Sequence, residues 1–588
     1  MTTSGTGSRA AGRFGWRVWA AIATGFTALS VALWAHAWAA VGSRVPCPCG
    51  DPGQAVWYLQ VVARSLAAGH LPAHSDMAWW PGGVNLLANN SITALGTVLA
   101  PLTLTVGPVT ALVVALTAAP AASATAGAWA ASRFGVRPLP AALAGLVYGF
   151  SPMAVQHLAF AHLNLTFLPG PALLAGVAHE VVAGRGRPGR WGAFGGMVAA
   201  AQFFVSTEIL ADTAVLVAVT VLAGAAVAPR RLWERRRRVA TGLGAAGGVA
   251  AVLLAGPAWY ALAGPGHLSG TIYQNMLSAE RVDALRVVWA PSVGTPFPLG
   301  PLAGYSGLQG PPVVYLGPVG AAAVVVAAWA LRRRAAARVA VGVLAAAVVL
   351  ALGDTVTVRP SRSSALLPGG WLHHLPVLDN VIPARLAFGE WLAAGLLAAL
   401  ALDAAWDRLE GSGAVSRAAA ALVAMAVVVS VAVTYRVPLA EAAAGPSAWF
   451  DAAAQAVPAG SSLLAYPVAT PGNGGRRVMF DAAVADRLVP LTAGYSFRPG
   501  VGHRAVLDAV SVPEAGLRDL LTLPASFRAP SATDAAAYRE ELARWRVGVV
   551  AVAPGDPVEA AWITTVLGPG VRAGGGWWWS AGAVRPRR

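Results

Sequence analysis

Long apolar runs separated by short polar breaks fill the first three quarters of the chain. The runs are roughly 18–25 residues, enough for a helix to cross a hydrocarbon core of about 30 Å. Arginine clusters punctuate them at Arg9–Arg17, Arg133 to Arg137, Arg185 to Arg190, Arg230 to Arg238, Arg332 to Arg338 and Arg408 to Arg417. Cytoplasmic loops of membrane proteins are enriched in such residues. Reading the clusters as cytoplasmic predicts about eleven crossings. They fall near 18–41, 108–131, 139–156, 164–183, 191–206, 208–228, 239–262, 313–331, 336–353, 386–404 and 418–435. Residues 42–107 become a long outer loop. A second apolar segment, 91–106, precedes 108–131. Two crossings there would put Arg133 outside, so 91–106 is expected to be interfacial or re-entrant.

The pattern changes after residue 436. Apolar runs shorten and turn residues become frequent. Residues 461–467 and 547–552 read as buried strands. Residues 533–546 read as a helix with Tyr538, Leu542 and Trp545 at helical spacing and Thr533 as a candidate cap. Strands alternating with a helix predict a small α/β unit. The expected fold class is thus a polytopic α-helical membrane protein with a C-terminal extracytoplasmic α/β domain. Its parts are a cytoplasmic tail (1–17), a transmembrane region (18–435) and the outer domain (436–588).

Composition agrees. Of 588 residues, 56% are hydrophobic and 12% charged, which excludes an ordinary soluble enzyme. The formal charge of +16 does not point to nucleic acid, because the arginines lie in short clusters between apolar runs. Lysine is absent, and with abundant Ala, Gly and Arg this suggests GC-rich, actinobacterial-type codon usage. No convincing cleavage site follows the first apolar run, so it is expected to stay as a helix.

Candidate chemistry gathers at the expected outer ends of helices. Asp51, in Cys49-Gly50-Asp51-Pro52-Gly53-Gln54, follows the first crossing, where a carboxylate is cheap to keep ionised. The outer loop also carries His70, His74, Asp76, Trp79, Trp80 and Asn85. Aromatic faces stack on sugar rings, and Asp and Asn bond hydroxyls; the tryptophans could equally anchor the loop at the interface. His157 and His162, with Asn164, mark the turn between the third and fourth crossings, as metal or phosphate ligands or as solvated side chains. Glu208, with Asp212 after it, sits at the edge of an apolar hairpin, a default functional position. Arg385 breaks the positive-inside pattern; binding phosphate would explain it, as would neutralisation by Asp379. A further outer segment holds Tyr273, Gln274, Glu280, Arg281, Asp283 and Arg286 on an expected interfacial helix. Cys47 and Cys49 are either a disulfide or two thiols. No zinc pattern, phosphate-binding loop or dinucleotide fingerprint is present.

This layout resembles the GT-C superfamily of integral membrane glycosyltransferases. The resemblance rests on Asp51 after the first helix, the segment 91–106, the polar turn His162-Leu163-Asn164 and the outer C-terminal domain, and its membrane half covers residues 15–440. It implies an inverting enzyme of the plasma membrane. The donor would be a polyprenyl-phosphate sugar and the acceptor an envelope glycan or lipid. Asp51 and Glu208 would be catalytic. Arg385 and His162 would hold the donor phosphate, while Asp76, His74, Trp79, Trp80, Asn85 and Asn164 contact substrate. A divalent metal is a candidate cofactor, although the second acidic position common in the superfamily is His or Asn here. The rival reading is a transporter or lipid-handling scaffold of the same architecture.

Overall fold

A computed structural model describes residues 14–89, 92–272, 282–288, 313–358, 361–372, 374–375, 377–409, 437–469, 477–485, 487–523 and 526–582. A helix stands at each expected crossing as far as residue 408. Among the described residues, six are long and apolar enough to cross a membrane: Trp16–Leu33, Pro108–Ser132, Leu163–Ala183, Thr207–Val227, Arg236–Ala263 and Pro383–Arg408. A bent pair, Pro138–Gly149 and Pro152–Ala159, makes a seventh. Gly317–Ala330 and Ala335–Ala351 are apolar but shorter. These helices do not reach the expected count of eleven, and the last crossing, 418–435, lies outside the described residues. The first helix ends at Leu33, where Trp34 leaves helical geometry, rather than at 41.

The segment before the second crossing is the helix Thr93–Val106. Fourteen residues at 1.5 Å each span about 21 Å, too short to cross.

Small residues set the close helix contacts. Gly145 and Gly149, one turn apart on Pro138–Gly149, face the backbone of Ala124. A Cβ on Gly145 would lie 2.2 Å from the Ala124 carbonyl oxygen. Gly192 and Gly196 do the same between Pro188–Phe203 and Arg236–Ala263. Such spacing lets helix backbones approach where no hydrophobic effect drives them together.

The arginine clusters meet on one face of the bundle. Arg133 and Arg185 pair with Glu180, and Arg137 pairs with Asp403 at 3.0 Å and with Asp407. Arg238 donates to the carbonyl of Gly186 at 2.8 Å, and Arg338 to that of Val227 at 3.3 Å. Each neighbouring pair of clusters is two crossings apart, so their convergence agrees with strict alternation of the intervening helices.

The tail carries a four-stranded mixed sheet in the order 571–573, 576–580, 547–552, 462–466. Val547–Val552 runs parallel to Ser462–Tyr466 and antiparallel to Gly576–Ser580. Both expected strands are present and buried along their whole length. The expected helix is Ala532–Arg544, and its cap is Ser531 rather than Thr533. The Ser531 hydroxyl and the Asp534 carboxylate bond each other's backbone N–H groups. The tryptophans of 577–579 lie in an interior strand, with Trp579 Nε1 donating to the Gly568 carbonyl at 3.0 Å.

The tail is not insulated from the rest. One hydrophobic cluster contains Trp57 and Tyr58 of the segment 42–107 together with Phe450, Leu463 and Val550 of the tail. Backbone bonds stitch the two: Trp80 N–H to the Leu491 carbonyl at 3.0 Å and Leu491 N–H to the Met77 carbonyl at 3.1 Å. Asn89 and Phe497 exchange a reciprocal pair at 3.0 and 2.8 Å.

Candidate functional site

Asp51 lies in the first turn of the helix Gly50–Ala67. A carboxylate there meets the positive end of the helix dipole. The preceding residue pair, Cys47 and Cys49, is joined as a disulfide. Behind this turn, His157 occupies the last turn of Pro152–Ala159, and Ala161 takes a left-handed backbone conformation (φ 53°). L-residues pay roughly 1–2 kcal/mol for that geometry. It folds His162 back, so that His162 N–H donates to the His157 carbonyl at 3.0 Å.

The result is a chain of three side chains. His162 Nε2 donates to Asp51 Oδ2 at 2.9 Å, and His162 Nδ1 lies 3.0 Å from His157 Nδ1. Burial works against ionisation of Asp51. The hydrogen bond from His162 opposes it, joined by Tyr495 and the field of Arg385, and the net effect holds the carboxyl below its ordinary range.

Asp51 and His162 open onto a cleft of about 160 Å³. Arg385 lines it from the start of the helix Pro383–Arg408, and Gln54 and Tyr58 from the Asp51 helix. Asn164 contributes from the polar turn. The tail adds Tyr495 and Phe497. Gln54 also donates to the Tyr495 carbonyl, tying the loop helix to the tail across the cleft.

Arg385 pairs with Glu208, not with Asp379. Both side chains are almost fully buried, and the Ile382 N–H donates to Glu208 at 3.3 Å. Glu208 therefore stands behind the cleft as the partner of Arg385 and is not among its lining residues. Asp379 instead accepts from Asn380 at 2.9 Å.

Several sequence expectations are corrected here. His162 has both ring nitrogens engaged, with Asp51 and His157, and so has none left to bind phosphate. Asn85 is wholly buried: its amide donates to the carbonyls of Tyr260 and Pro265, both at 3.0 Å. Its oxygen accepts from the N–H groups of Leu87 and Ala88. Those four bonds exhaust the side chain and leave nothing for a sugar hydroxyl. Trp79 is buried, donates to the Ser496 carbonyl at 2.8 Å and stacks under Arg498. Trp80, His74 and Asp76 belong to the same hairpin, which packs on the tail; none of them lines the cleft. Burial lowers the pKa of His74, and the nearby Asp76 only partly offsets it. Tyr273, Gln274, Glu280 and Arg281 lie outside the described residues, while Asp283 and Arg286 belong to a short 3-10 turn.

Conversely, Tyr495 and Phe497 were not anticipated. The run Gly494-Tyr495-Ser496-Phe497-Arg498 alternates aromatic with small or polar residues, but nothing in it marks proximity to Asp51. No group of three or more His, Cys, Asp or Glu side chains arranged to hold a metal occurs among the described residues. The acidic and histidine groups of the cleft are instead bonded to one another.

No family model matches the chain, and no curated protein matches it. Its fold is similar to three solved structures. The arabinofuranosyltransferase AftD from Mycobacteria matches at 16% identity over 92% of this chain and 35% of that one, with a TM-score of 0.49. The oligosaccharyltransferase AglB from Archaeoglobus fulgidus, in complex with an inhibitory peptide and a dolichol-phosphate, matches at 12% identity over 94% and 71%, also at 0.49. ArnT from Cupriavidus metallidurans, bound to undecaprenyl phosphate, matches at 13% identity over 97% and 98%, at 0.47. The chain spans about a third of the length of AftD. These likenesses extend no further than overall fold.

Proposed function

We propose that the chain is an inverting membrane glycosyltransferase working at the outer surface of the plasma membrane. The observation that carries this reading is that Asp51 and Arg385 line one cleft at the bundle end opposite the arginine clusters. A base and a cation on one small cavity suit a reaction that removes a proton at one side and releases an anion at the other.

In this reading the acceptor hydroxyl attacks the anomeric carbon of a polyprenyl-phosphate sugar. Its proton passes to Asp51 as the new C–O bond forms. The bond from the anomeric carbon to the phosphate oxygen breaks, and polyprenyl phosphate leaves with the electron pair. Arg385 meets the charge that develops on the leaving group, held in place by Glu208, and such preorganised stabilisation is commonly a large share of the rate. Glu208 is a positioning residue. Tyr495 and Phe497 offer aromatic surface to a sugar ring, and Gln54 and Asn164 offer hydrogen bonds. The tail thereby helps to hold an envelope glycan or lipid acceptor. The lipid tail lies against the membrane-facing helices.

The test is an in-membrane assay with a panel of radiolabelled undecaprenyl-phosphoryl pentoses and hexoses. Asp51→Asn keeps the shape but cannot take the proton. It should insert normally and lose transfer on the order of 10²-fold or more. Normal transfer by a well-inserted Asp51→Asn protein would sink the mechanism. Undecaprenyl phosphate binding with no transfer by the wild type to any envelope acceptor would favour the lipid-handling scaffold.

A further inference from the structure

We propose that His157 and His162 are a positioning pair for Asp51, in which His157 fixes the tautomer of His162. The inference rests on the reading of Asp51 as the base.

The argument starts from which atoms can donate. An ionised carboxylate only accepts, so the 2.9 Å contact requires the proton on His162 Nε2. A neutral His162 then presents a bare Nδ1. That nitrogen lies 3.0 Å from His157 Nδ1, which must therefore carry the donating proton. His157 is left with a bare Nε2, which is buried and has no hydrogen-bond partner among the described residues. This assignment leaves only a lone pair unsatisfied. The opposite one would strand an N–H donor, the rarer and costlier defect. With Asp51 ionised and His162 neutral, the two contacts set the direction of both hydrogen bonds.

The pair has a consequence for the base. In the other tautomer of His162 a lone pair would face the Asp51 carboxylate and push it out of position. His157 suppresses that tautomer, as the partner of a histidine's second nitrogen does generally. The left-handed turn at Ala161 is what brings the two rings to 5.3 Å between centroids. A local conformation with a steric cost is held at the residue preceding His162. His157 itself does not line the cleft, so any effect it has on transfer must pass through His162.

Two amides at position 157 separate this role from plain packing. Asparagine places its amide nitrogen where His157 Nδ1 stands. Glutamine fills the volume better but carries its amide at the Nε2 position. The full-length protein in nanodiscs is assayed with the radiolabelled undecaprenyl-phosphoryl sugar that the wild type turns over, and its affinity for undecaprenyl phosphate is measured in parallel. His157→Asn should hold kcat within about threefold of wild type, and His157→Gln should lose on the order of 10-fold or more. KM and undecaprenyl phosphate affinity should stay unchanged in both. His162→Leu should move the acid limb of the pH–rate profile upward, since it removes a bond to the charged form of Asp51. The other groups facing Asp51, Tyr495 and Arg385, are intact in that variant. Equal activity of the Asn and Gln variants, or a larger loss in Asn than in Gln, overturns the pair. An inactive Asp51→Asn beside a fully active His157→Gln refutes the pair alone. An active Asp51→Asn removes the base reading and the pair together.

Discussion

The Glu208–Arg385 pair gives the sharpest quantitative expectation. Both side chains are nearly inaccessible, Arg385 at 6% and Glu208 at 7%, so water can compensate little of either charge when its partner is removed. Breaking a buried pair by deleting one member costs about 3–5 kcal/mol, because an uncompensated charge stays behind. Glu208→Leu does this to Arg385 and also strands the Ile382 N–H, which adds about 1–3 kcal/mol. Arg385→Met should cost less. The Glu208 carboxyl left behind keeps the Ile382 bond and can neutralise itself by taking up a proton. The double variant removes both charges together and gives up the Ile382 bond. A double-mutant cycle should therefore give a coupling of at least about 2 kcal/mol, against the roughly 0.5 kcal/mol scatter of independent sites. Asp212, one turn beyond Glu208, is buried with neither carboxylate oxygen hydrogen-bonded among the described residues, and it is placed to take over part of the pairing. Repeating the cycle in an Asp212→Asn background closes that route. The assay is reversible unfolding of the purified protein in mixed micelles, followed by tryptophan fluorescence. Additive single losses would refute the claim that Glu208 holds Arg385. So would a Glu208→Leu protein as stable as wild type in the Asp212→Asn background.

Three further outcomes follow from other parts of the structure. Burial pushes the Asp481 carboxyl up to about 6, with Arg477 and Ser447 offsetting only part of it; a carboxyl raised in the folded state contributes stability that is complete below its unfolded value near 4 and lost as pH rises through about 6, some 3 kcal/mol in all. The melting temperature should fall across that window in the wild type relative to Asp481→Asn, and parallel curves would contradict it. Trp79→Ala removes a buried indole and its bond to Ser496, so it should destabilise the protein by about 3–5 kcal/mol while leaving the KM for donor unchanged; a stable variant with a raised KM would restore Trp79 as a sugar contact. For orientation, a cysteine introduced at Ser531 should react with a membrane-impermeant reagent in intact cells and one at Arg187 should not, and the reverse pattern would invert the topology.

The two kinds of information divide along a physical line. Whatever depends on transfer between water and hydrocarbon is written locally, because each residue contributes whatever its neighbours are. Hence the apolar runs mark the helices, and the arginine clusters, if they share a face, mark 91–106 as a segment that does not cross. The strands 462–466 and 547–552 follow from the same rule, and the isolated polar positions Asp51, His162, Asn164 and Arg385 stand out as cleft residues. What the chain alone could not decide is which distant group satisfies each polar atom. The Asn85 amide looks identical in sequence whether it faces a sugar or the carbonyls of Tyr260 and Pro265. Arg385 has an acidic neighbour at Asp379 but is claimed by Glu208, which lies 177 residues away in sequence. Nor could it show that Tyr495 and Phe497 reach the cleft, or that the tail shares one core with the outer loop. Hydrogen bonds and ion pairs are short-ranged and saturable. Their partners are therefore chosen only when packing brings the segments together, and that choice separates the residues left facing the cleft from those consumed in holding it.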